Sequence, residues 1–344
     1  MDAGKEISSV PQELVQFIKT GSRFIVAGHK EPDGDCVGSQ LALQSVLLRL
    51  GKKVVVCSEG PLNRTELKNY SKYFIEIPPE DEKSEGFERL SKFSEGPDLK
   101  VIVVDCTGMD RTGSLQKLLE KLPCAVIDHH AAATHPPSTP EAPVYVDANA
   151  PSCTLLIEKI ITALDLELTT EEATLLLFGL CTDTGFFRHL TEKNAVVFEA
   201  AAKMVRYGAN PKKVYNSMSG GKNLKSRLLL GNILSRTEAH FNGRLLISNE
   251  TLEDFNNYGL ESRDSDALYK MLLSIDGVEA VIIIRQECVD SCTVSLRSVD
   301  KIDVSQIAAN FGGGGHMNAS GFTMKENITY IKQQLLEYFK NILL

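Results

Sequence analysis

The sequence predicts an α/β protein of two units: an N-terminal domain built on a parallel sheet in three layers, and a smaller C-terminal α+β domain. Three observations carry this. Short continuous apolar runs alternate with helix-patterned segments through the first 130 residues, a rhythm that calls for parallel strands covered on both faces. From 152 to about 215 the pattern is helical almost throughout. A Gly/Ser-rich joint, SMSGGKN at 217–223, then leads into a stretch with a strand pair, four consecutive glycines and a closing amphipathic helix. At 344 residues the chain suits two domains of roughly 150 residues each. The expected division is 1–216, a linker at 217–223, and 224–344.

RFIVAG (23–28) reads as a buried strand, and CVGSQLALQSVLLRL (36–50) as an apolar-faced helix stopped by Gly51. KVVVC (53–57) is the next strand and KYFIEI (72–77) a weaker one. The polar stretch 78–98 reads as a surface excursion with one short helix. LKVIVVD (99–105) is a strand covered on both faces; CAVID (124–128) repeats it after a helix near 114–121. The Pro-rich piece 136–143 is a loop. Ser152 caps a helix running to about Leu164. A further helix carries TTEEATLLLFGLCTDTG, where Thr169 or Thr170 with Glu172 resembles a capping box. Helices follow at 193–206 and 211–217. The second unit reads as a helix (224–239), a strand (244–249), two strands joined by a turn (278–285 and 291–298), a helix (304–311) ending in GGGG (312–315), a last strand (319–324) and a helix (327–342).

Composition narrows the function. With 43% hydrophobic and 24% charged residues the chain is an ordinary globular protein, not a collagen-like, disordered or disulfide-scaffold one. Lys and Arg total 37 against 45 Asp and Glu, a net charge of −8, which argues against coating long nucleic acid by backbone charge. The second unit is no exception, with 12 basic and 15 acidic residues from 225 to 344. No apolar run spans a bilayer and the start lacks the pattern of a signal peptide. The eight cysteines are scattered through apolar segments, as reduced, buried small hydrophobes would be. Cys288 and Cys292 lack the further His or Cys of a zinc site. Cytoplasmic residence and no membrane partner are the expectation.

The chemistry-bearing residues fall at four separate chain points, three of them just after predicted parallel strands, where open α/β sheets bind ligands. GHKEPDGDCVGS (28–39) follows the first strand and brings His29, Asp33 and Asp35. LKVIVV is followed by Asp105, CAVI by Asp128, His129 and His130, and the helix TLLLFGL by Cys181-Thr182-Asp183-Thr184-Gly185. One such Asp would be an ordinary turn or cap; His and Asp recurring at these points mark a metal site. Mixed carboxylate–imidazole ligation without thiolate suits Mn²⁺ or similar ions. Four glycines alone would be only a flexible loop, although consecutive glycines also let backbone N–H groups approach an anion. His135, His189 and His240 read as ordinary structural or solvent-facing residues, and Arg111 and Arg188 as either surface cations or substrate neighbours.

Asp128-His129-His130, preceded by HKEPDGDCVGS and Asp105 and followed by Asp183-Thr184-Gly185, resembles the DHH phosphoesterase family. SLRS (295–298) and GGGGHMNASG (312–321) resemble its DHH-associated C-terminal domain, so the likeness spans nearly the whole chain. The compact two-domain form resembles the subgroup of nanoRNases and 3′-phosphoadenosine-5′-phosphate phosphatases.

The resemblance implies an active-site cleft between the domains, holding two Mn²⁺ ions, with Mg²⁺ or Co²⁺ as substitutes. It implies that His29 and Asp33 ligate the first ion, that Asp35, His129 and Asp183 ligate the second, and that Asp105 bridges both. Asp128 would orient a neighbouring imidazole, and His130 would contact the phosphate or protonate the leaving oxygen. Arg297, Ser298, Gly313, Gly314, Gly315 and His316 would bind the nucleotide or terminal phosphate. The implied reaction is hydrolysis of short oligonucleotides to mononucleotides, with 3′-phosphoadenosine 5′-phosphate as a second substrate. Hydrolysis of cyclic di-AMP by a standalone enzyme is the closest rival, since nothing resembling a membrane or sensor segment stands before the catalytic motifs. A non-catalytic nucleotide-binding regulator is a further alternative, which the full ligand set disfavours. No long duplex is an expected partner; a homodimer is.

Overall fold

The structure is a computed structural model that describes residues 7–62, 64–79, 84–130, 142–299 and 302–343. His135 and residues 136–141 of the Pro-rich piece lie outside the described residues. The chain forms two compact units, Met1–Gly221 and Lys222–Leu344.

Unit 1 contains six parallel strands: β1 (Arg23–Ala27), β2 (Lys53–Ser58), β3 (Phe74–Glu76), β4 (Leu99–Val104), β5 (Cys124–Asp128) and β6 (Val144–Val146). Its helices are α1 (Gln12–Thr20), α2 (Gly34–Arg49), α3 (Glu85–Ser94), α4 (Gln116–Leu119), α5 (Cys153–Ala163), α6 (Thr170–Asp183), α7 (Ala195–Arg206) and α8 (Pro211–Ser219). The strands are apolar without alternation because both sheet faces are buried. Phe24, Val26, Ile102, Val104, Ala125 and Ile127 face a core shared with α1, α2, α5 and α6. Their neighbours Ile25, Ala27, Val101, Val103, Cys124 and Val126 face a second core shared with α3 and α4. The result is three layers. The strand order is β3-β2-β1-β4-β5-β6, so the chain winds outward from β1 in one direction, then returns to β4 and winds the other way. That reversal leaves a crevice at the carboxyl ends of β1 and β4.

Unit 2 contains α9 (Leu224–Ser235), β7 (Glu238–His240), β8 (Leu245–Glu250), α10 (Leu252–Tyr258), α11 (Ser265–Leu273), β9 (Ala280–Cys288), β10 (Ser291–Ser298), α12 (Val304–Asn310), β11 (Gly314–His316), β12 (Ala319–Met324) and α13 (Ile328–Leu343). The strands form one mixed sheet in the order β11-β12-β10-β9-β8-β7, with only β8 and β9 parallel. One face packs on α12 and α13 through Ile282, Ile284, Val294, Leu296, Phe322, Leu335 and Phe339. On the other face α9 and α11 cover Leu246, Val281 and Ile283 of β8 and β9, and this core takes no apolar side chain from β10, β11 or β12. Half of that face is therefore left open.

Several boundaries differ from the sequence reading, each for a tertiary reason. The helix expected over 224–239 ends at Ser235; Arg236 turns to pair with Asp254, and Glu238–His240 joins the sheet beside β8. The stretch expected as linker begins inside α8, which runs to Ser219. Of KYFIEI only Phe74–Glu76 is strand, and the helix near 114–121 is the short α4, preceded by a 3₁₀ segment, Met109–Leu115. Gly314–His316 is not loop but β11, hydrogen-bonded to Ala319–Gly321. Thr169, rather than Thr170, caps α6 and completes the box with Glu172. Helices α1, α10 and α11 and the edge strand β6 had no counterpart in the sequence reading. Among the described residues no helix is long and apolar enough to cross a membrane.

Candidate metal centre

The crevice at the carboxyl ends of β1, β4 and β5 gathers acidic and imidazole side chains from four segments. His29 stands two residues beyond β1. Its Nδ1 donates to the Lys30 carbonyl at 2.8 Å, which turns Nε2 toward Asp105 Oδ2 at 3.4 Å and Asp33 Oδ1 at 3.9 Å. A backbone carbonyl holding one ring nitrogen so that the other faces a ligand position is the usual support of a metal-binding histidine. Asp33 caps α2, its Oδ1 accepting the amides of Asp35 and Cys36 at 3.0 and 3.1 Å. It sits at the rim, about one-third exposed.

Asp35 is fully buried at the start of α2 and also meets the start of α5. Its Oδ1 accepts from the amide and hydroxyl of Thr154 at 2.9 and 2.7 Å, and its Oδ2 from the amide of Cys153. These donors fix a carboxylate that burial, then Asp105 and Asp183, push well above the ordinary range. Asp105 follows β4 with φ of 61°, a left-handed conformation unusual for a non-glycine residue and characteristic of functional sites. Burial pushes its carboxyl up, but His129 and His29 outweigh that and hold it below the ordinary value. His129 Nε2 lies 3.3 Å from Asp105 Oδ1, 3.2 Å from Asp183 Oδ2 and 3.8 Å from Asp35 Oδ2, while its Nδ1 donates to the Ala150 carbonyl at 3.3 Å. Burial lowers this imidazole, yet Asp105, Asp183 and Asp35 carry it up to about 11. The crevice is a strong trap for positive charge.

Two buried atoms test whether a metal belongs there. Among the described residues, Asp105 Oδ1 and His129 Nε2 make no well-formed hydrogen bond, although each is shielded from water and they approach to 3.3 Å. Buried polar atoms that converge on one point without well-formed hydrogen bonds are costly unless a cation joins them. The donor atoms of Asp35, His129 and Asp183 lie within 4.8 Å of one another, as do those of His29, Cys36 and Asp105. Carboxylates and imidazoles of this kind suit hard to borderline divalent ions. The residues fit the group.

The structure brings together the side chains of all six residues expected as ligands, with Asp33 at the edge. Asp128 stands beside the cluster with its carboxylate turned to the backbone and to His130. Its Oδ1 accepts the amides of His129 and His130 and the Nδ1 proton of His130, the last at 2.7 Å. His130 is about half exposed, and its pKa is raised, mainly by Asp128. The supporting donors Cys153 and Thr154 and the carbonyls of Lys30 and Ala150 were not found from the sequence. Ser152, the cap that precedes Cys153 and Thr154, was the one available signal. Cys36, read as a compact packing residue, places its sulfur beside His29 and Asp105; burial keeps the thiol protonated, and Gly28, where a Cβ would come within 2.1 Å of that sulfur, makes room for it.

In unit 2, Arg297 of β10 pairs with Ala319 of β12, which pairs with His316 of β11. Residues paired across adjacent strands share a face, so Arg297 and His316 flank the small Ala319 on the open half of the sheet. Ser298 corrects the sequence reading. One residue further along β10, it points to the opposite face, is buried, and donates to the Ile302 carbonyl at 2.6 Å. Its place follows from the two-residue period of a strand. The glycines also divide their labour. A side chain at Gly313 would strike the Gly321 carbonyl at 2.1 Å, and one at Gly315 (φ 144°) the Ala319 carbonyl at 2.5 Å; Gly314 faces open space. Two of the three assigned glycines thus permit strand packing, and Gly314 leaves open space.

Comparison with known proteins agrees with this geometry. The model of the DHH family, N-terminal domain, matches residues 23–180, and the DHHA1 domain matches 246–341. A bifunctional oligoribonuclease and PAP phosphatase of Thermus thermophilus is 29% identical over 87% of this chain and 83% of its own length. The cyclic-di-AMP phosphodiesterase PdeA of Listeria monocytogenes is 24% identical over 95% of this chain, which spans about half (49%) of that protein. An exopolyphosphatase-related protein of Bacteroides fragilis, at 22% identity, shares the fold with a TM-score of 0.71 over 96% of each chain. With the site residues in place on this fold, the chain belongs to the DHH family, and its second unit is a DHHA1 domain.

Proposed function

We propose that this protein hydrolyses short oligonucleotides, dinucleotides such as pApA included, to mononucleotides, and removes the 3′ phosphate of 3′-phosphoadenosine 5′-phosphate. Membership of the DHH family makes it a hydrolase of phosphate esters; the likeness to the Thermus thermophilus enzyme supports the substrate class. The observation that carries the reading is the pair of donor clusters meeting at Asp105, one through His29 and one through His129. His29, Asp33 and Asp105 would hold one divalent ion, and Asp35, Asp105, His129 and Asp183 a second, Mn²⁺ being the best match to the donor set. When bound, such ions neutralise the phosphate and acidify water for attack on phosphorus.

The chain's own residues do the rest. Asp105 joins the two donor sets, so its position fixes their separation. The Lys30 and Ala150 carbonyls and the amides at the start of α5 keep His29, His129 and Asp35 from turning away. His130, hydrogen-bonded through Nδ1 to Asp128 and half open to solvent, leaves Nε2 to reach the leaving oxygen and give it a proton. Arg297 and His316 supply donors for a phosphate, with Ala319 keeping the space between them clear. Electrostatics favours small substrates: bound cations reverse the local charge, while the net charge of −8 still opposes long duplexes.

The test is a side-by-side assay with Mn²⁺ on pApA, 3′-phosphoadenosine 5′-phosphate, cyclic di-AMP and pyrophosphate. Turnover of the first two supports the proposal. Preference for cyclic di-AMP would favour the second reading, to which the likeness to PdeA points. No turnover of any substrate with metal bound would indicate a nucleotide-binding regulator.

A further inference from the structure

Arg297 has an unusual support for a surface cation. Its guanidinium carbon lies 4.8 Å over the ring centre of Tyr269. Among the described residues no carboxylate pairs with it, and its one hydrogen bond runs to the adjacent Leu296 carbonyl at 2.9 Å. Tyr269 is held on two sides. Its ring is buried, only 6% exposed, in the core between α11 and β9, beside Leu268, Leu272 and Val281. Its hydroxyl donates to the Ser295 carbonyl at 3.3 Å, two residues along β10 from Arg297. The Ser295 hydroxyl in turn accepts from Arg285, which also donates to Ser265 at the start of α11. The ring is thus pinned at the border between the covered and open halves of the sheet.

We infer that Tyr269 is a positioning residue that presents Arg297 to the substrate phosphate. The inference rests on the proposed substrate role of Arg297. A free arginine loses about 2 kcal/mol of rotamer entropy when a ligand fixes it. Contact through an aromatic face fixes the guanidinium beforehand, and unlike a carboxylate it neither cancels the charge nor occupies the N–H donors. Preordering of this kind appears in binding rather than in the chemical step.

The experiment replaces Tyr269 by Phe and, by site-specific incorporation, by mono-, di- and trifluorophenylalanine, and by Leu, in the full chain with Mn²⁺ and pApA. Fluorine drains the ring face of negative charge with little change of shape, so these variants keep the fold even if Tyr269→Leu does not. Tyr269→Phe is expected within about twofold of the parent KM. KM should then climb stepwise with fluorination and reach about five- to thirtyfold in Tyr269→Leu, with kcat within about twofold. In an Arg297→Ala background the same replacements should leave KM unmoved, because the partner is gone. If Arg297→Ala raises KM but the fluorinated series stays flat, or the series acts equally without Arg297, the positioning role is wrong while the substrate role stands. If Arg297→Ala leaves KM unchanged, the substrate role falls and the inference with it.

Discussion

Asp128 Oδ1 lies 2.7 Å from His130 Nδ1 and also accepts the amides of His129 and His130, so one buried carboxylate fixes both the ring of the proposed proton donor and the backbone of His129, a proposed metal ligand. Replacing Asp128 by Ala is expected to lower kcat by about 10- to 100-fold, as loss of such supporting groups does at metal centres. The measurement is steady-state hydrolysis of pApA together with metal content. A full kcat in Asp128→Ala would remove His130 from the mechanism.

Asp105, close to both His29 and His129, is the carboxylate that the two proposed donor sets share. Asp105→Asn keeps the shape and removes the charge. Several kcal/mol of charge stabilisation are at stake, so activity should fall by about a thousandfold or more. Elemental analysis should show less than the parent's metal, and circular dichroism an unchanged fold. Activity retained with full metal content would refute the bridging role.

Ala319 separates Arg297 from His316 along one row of the second sheet. Ala319→Leu should fill that space while leaving Arg297 and His316 themselves unchanged. KM for pApA is expected to rise by about tenfold or more, the equivalent of one lost charge-assisted hydrogen bond of about 1.5 kcal/mol. Metal content should stay constant. An unchanged KM would place the phosphate elsewhere.

Asp254 offers a pH test away from the site. Burial pushes its carboxyl up, but Arg236, the Thr251 amide and Asn232 outweigh it and hold it at about 2. A carboxyl depressed on folding stabilises the protein above its unfolded pKa near 4, and that contribution disappears as the pH falls through 2. Asp254→Asn should therefore cost about 1–3 kcal/mol in urea melts at pH 7. The gap should narrow steadily below pH 4. A gap of the same size at pH 2.5 would assign the effect to packing instead.

Mn²⁺ should also stabilise the fold directly. At one hundred times its dissociation constant an ion contributes about 2.7 kcal/mol, and Tm should rise by several degrees. The rise should vanish in the chelated protein and in Asp105→Asn. An equal rise in Asp105→Asn would point to binding outside the crevice.

Most of unit 1 could be read from sequence because its strands announce themselves. LKVIVV and CAVI are continuous apolar runs only because Ile102 and Val103, for example, face different cores. Five of the six proposed ligands were visible because they follow such runs, and Asp183 because it ends an apolar helix. What supports them was not, since the Asp35 carboxylate is held by amides 118 and 119 residues away, and a backbone amide leaves no mark in a sequence. The same limit applies in unit 2. Arg297 was singled out by resemblance, and Ser298 was grouped with it because a motif does not reveal strand alternation. Ala319 and Tyr269 emerge only from strand register and from α11, a helix whose mixed sequence, SDALYKMLL, gives little signal.

The bonds from Asp35 to Cys153 and Thr154 have a kinetic consequence. The centre cannot exist until the start of α5 has docked against α2, across more than a hundred intervening residues, and contacts of that range form slowly. A cation therefore finds no complete site on a partly folded chain. Its stabilisation should appear almost wholly as slower unfolding, with the refolding rate little changed, so that the ion acts as a latch on a finished molecule and not as a template for building one.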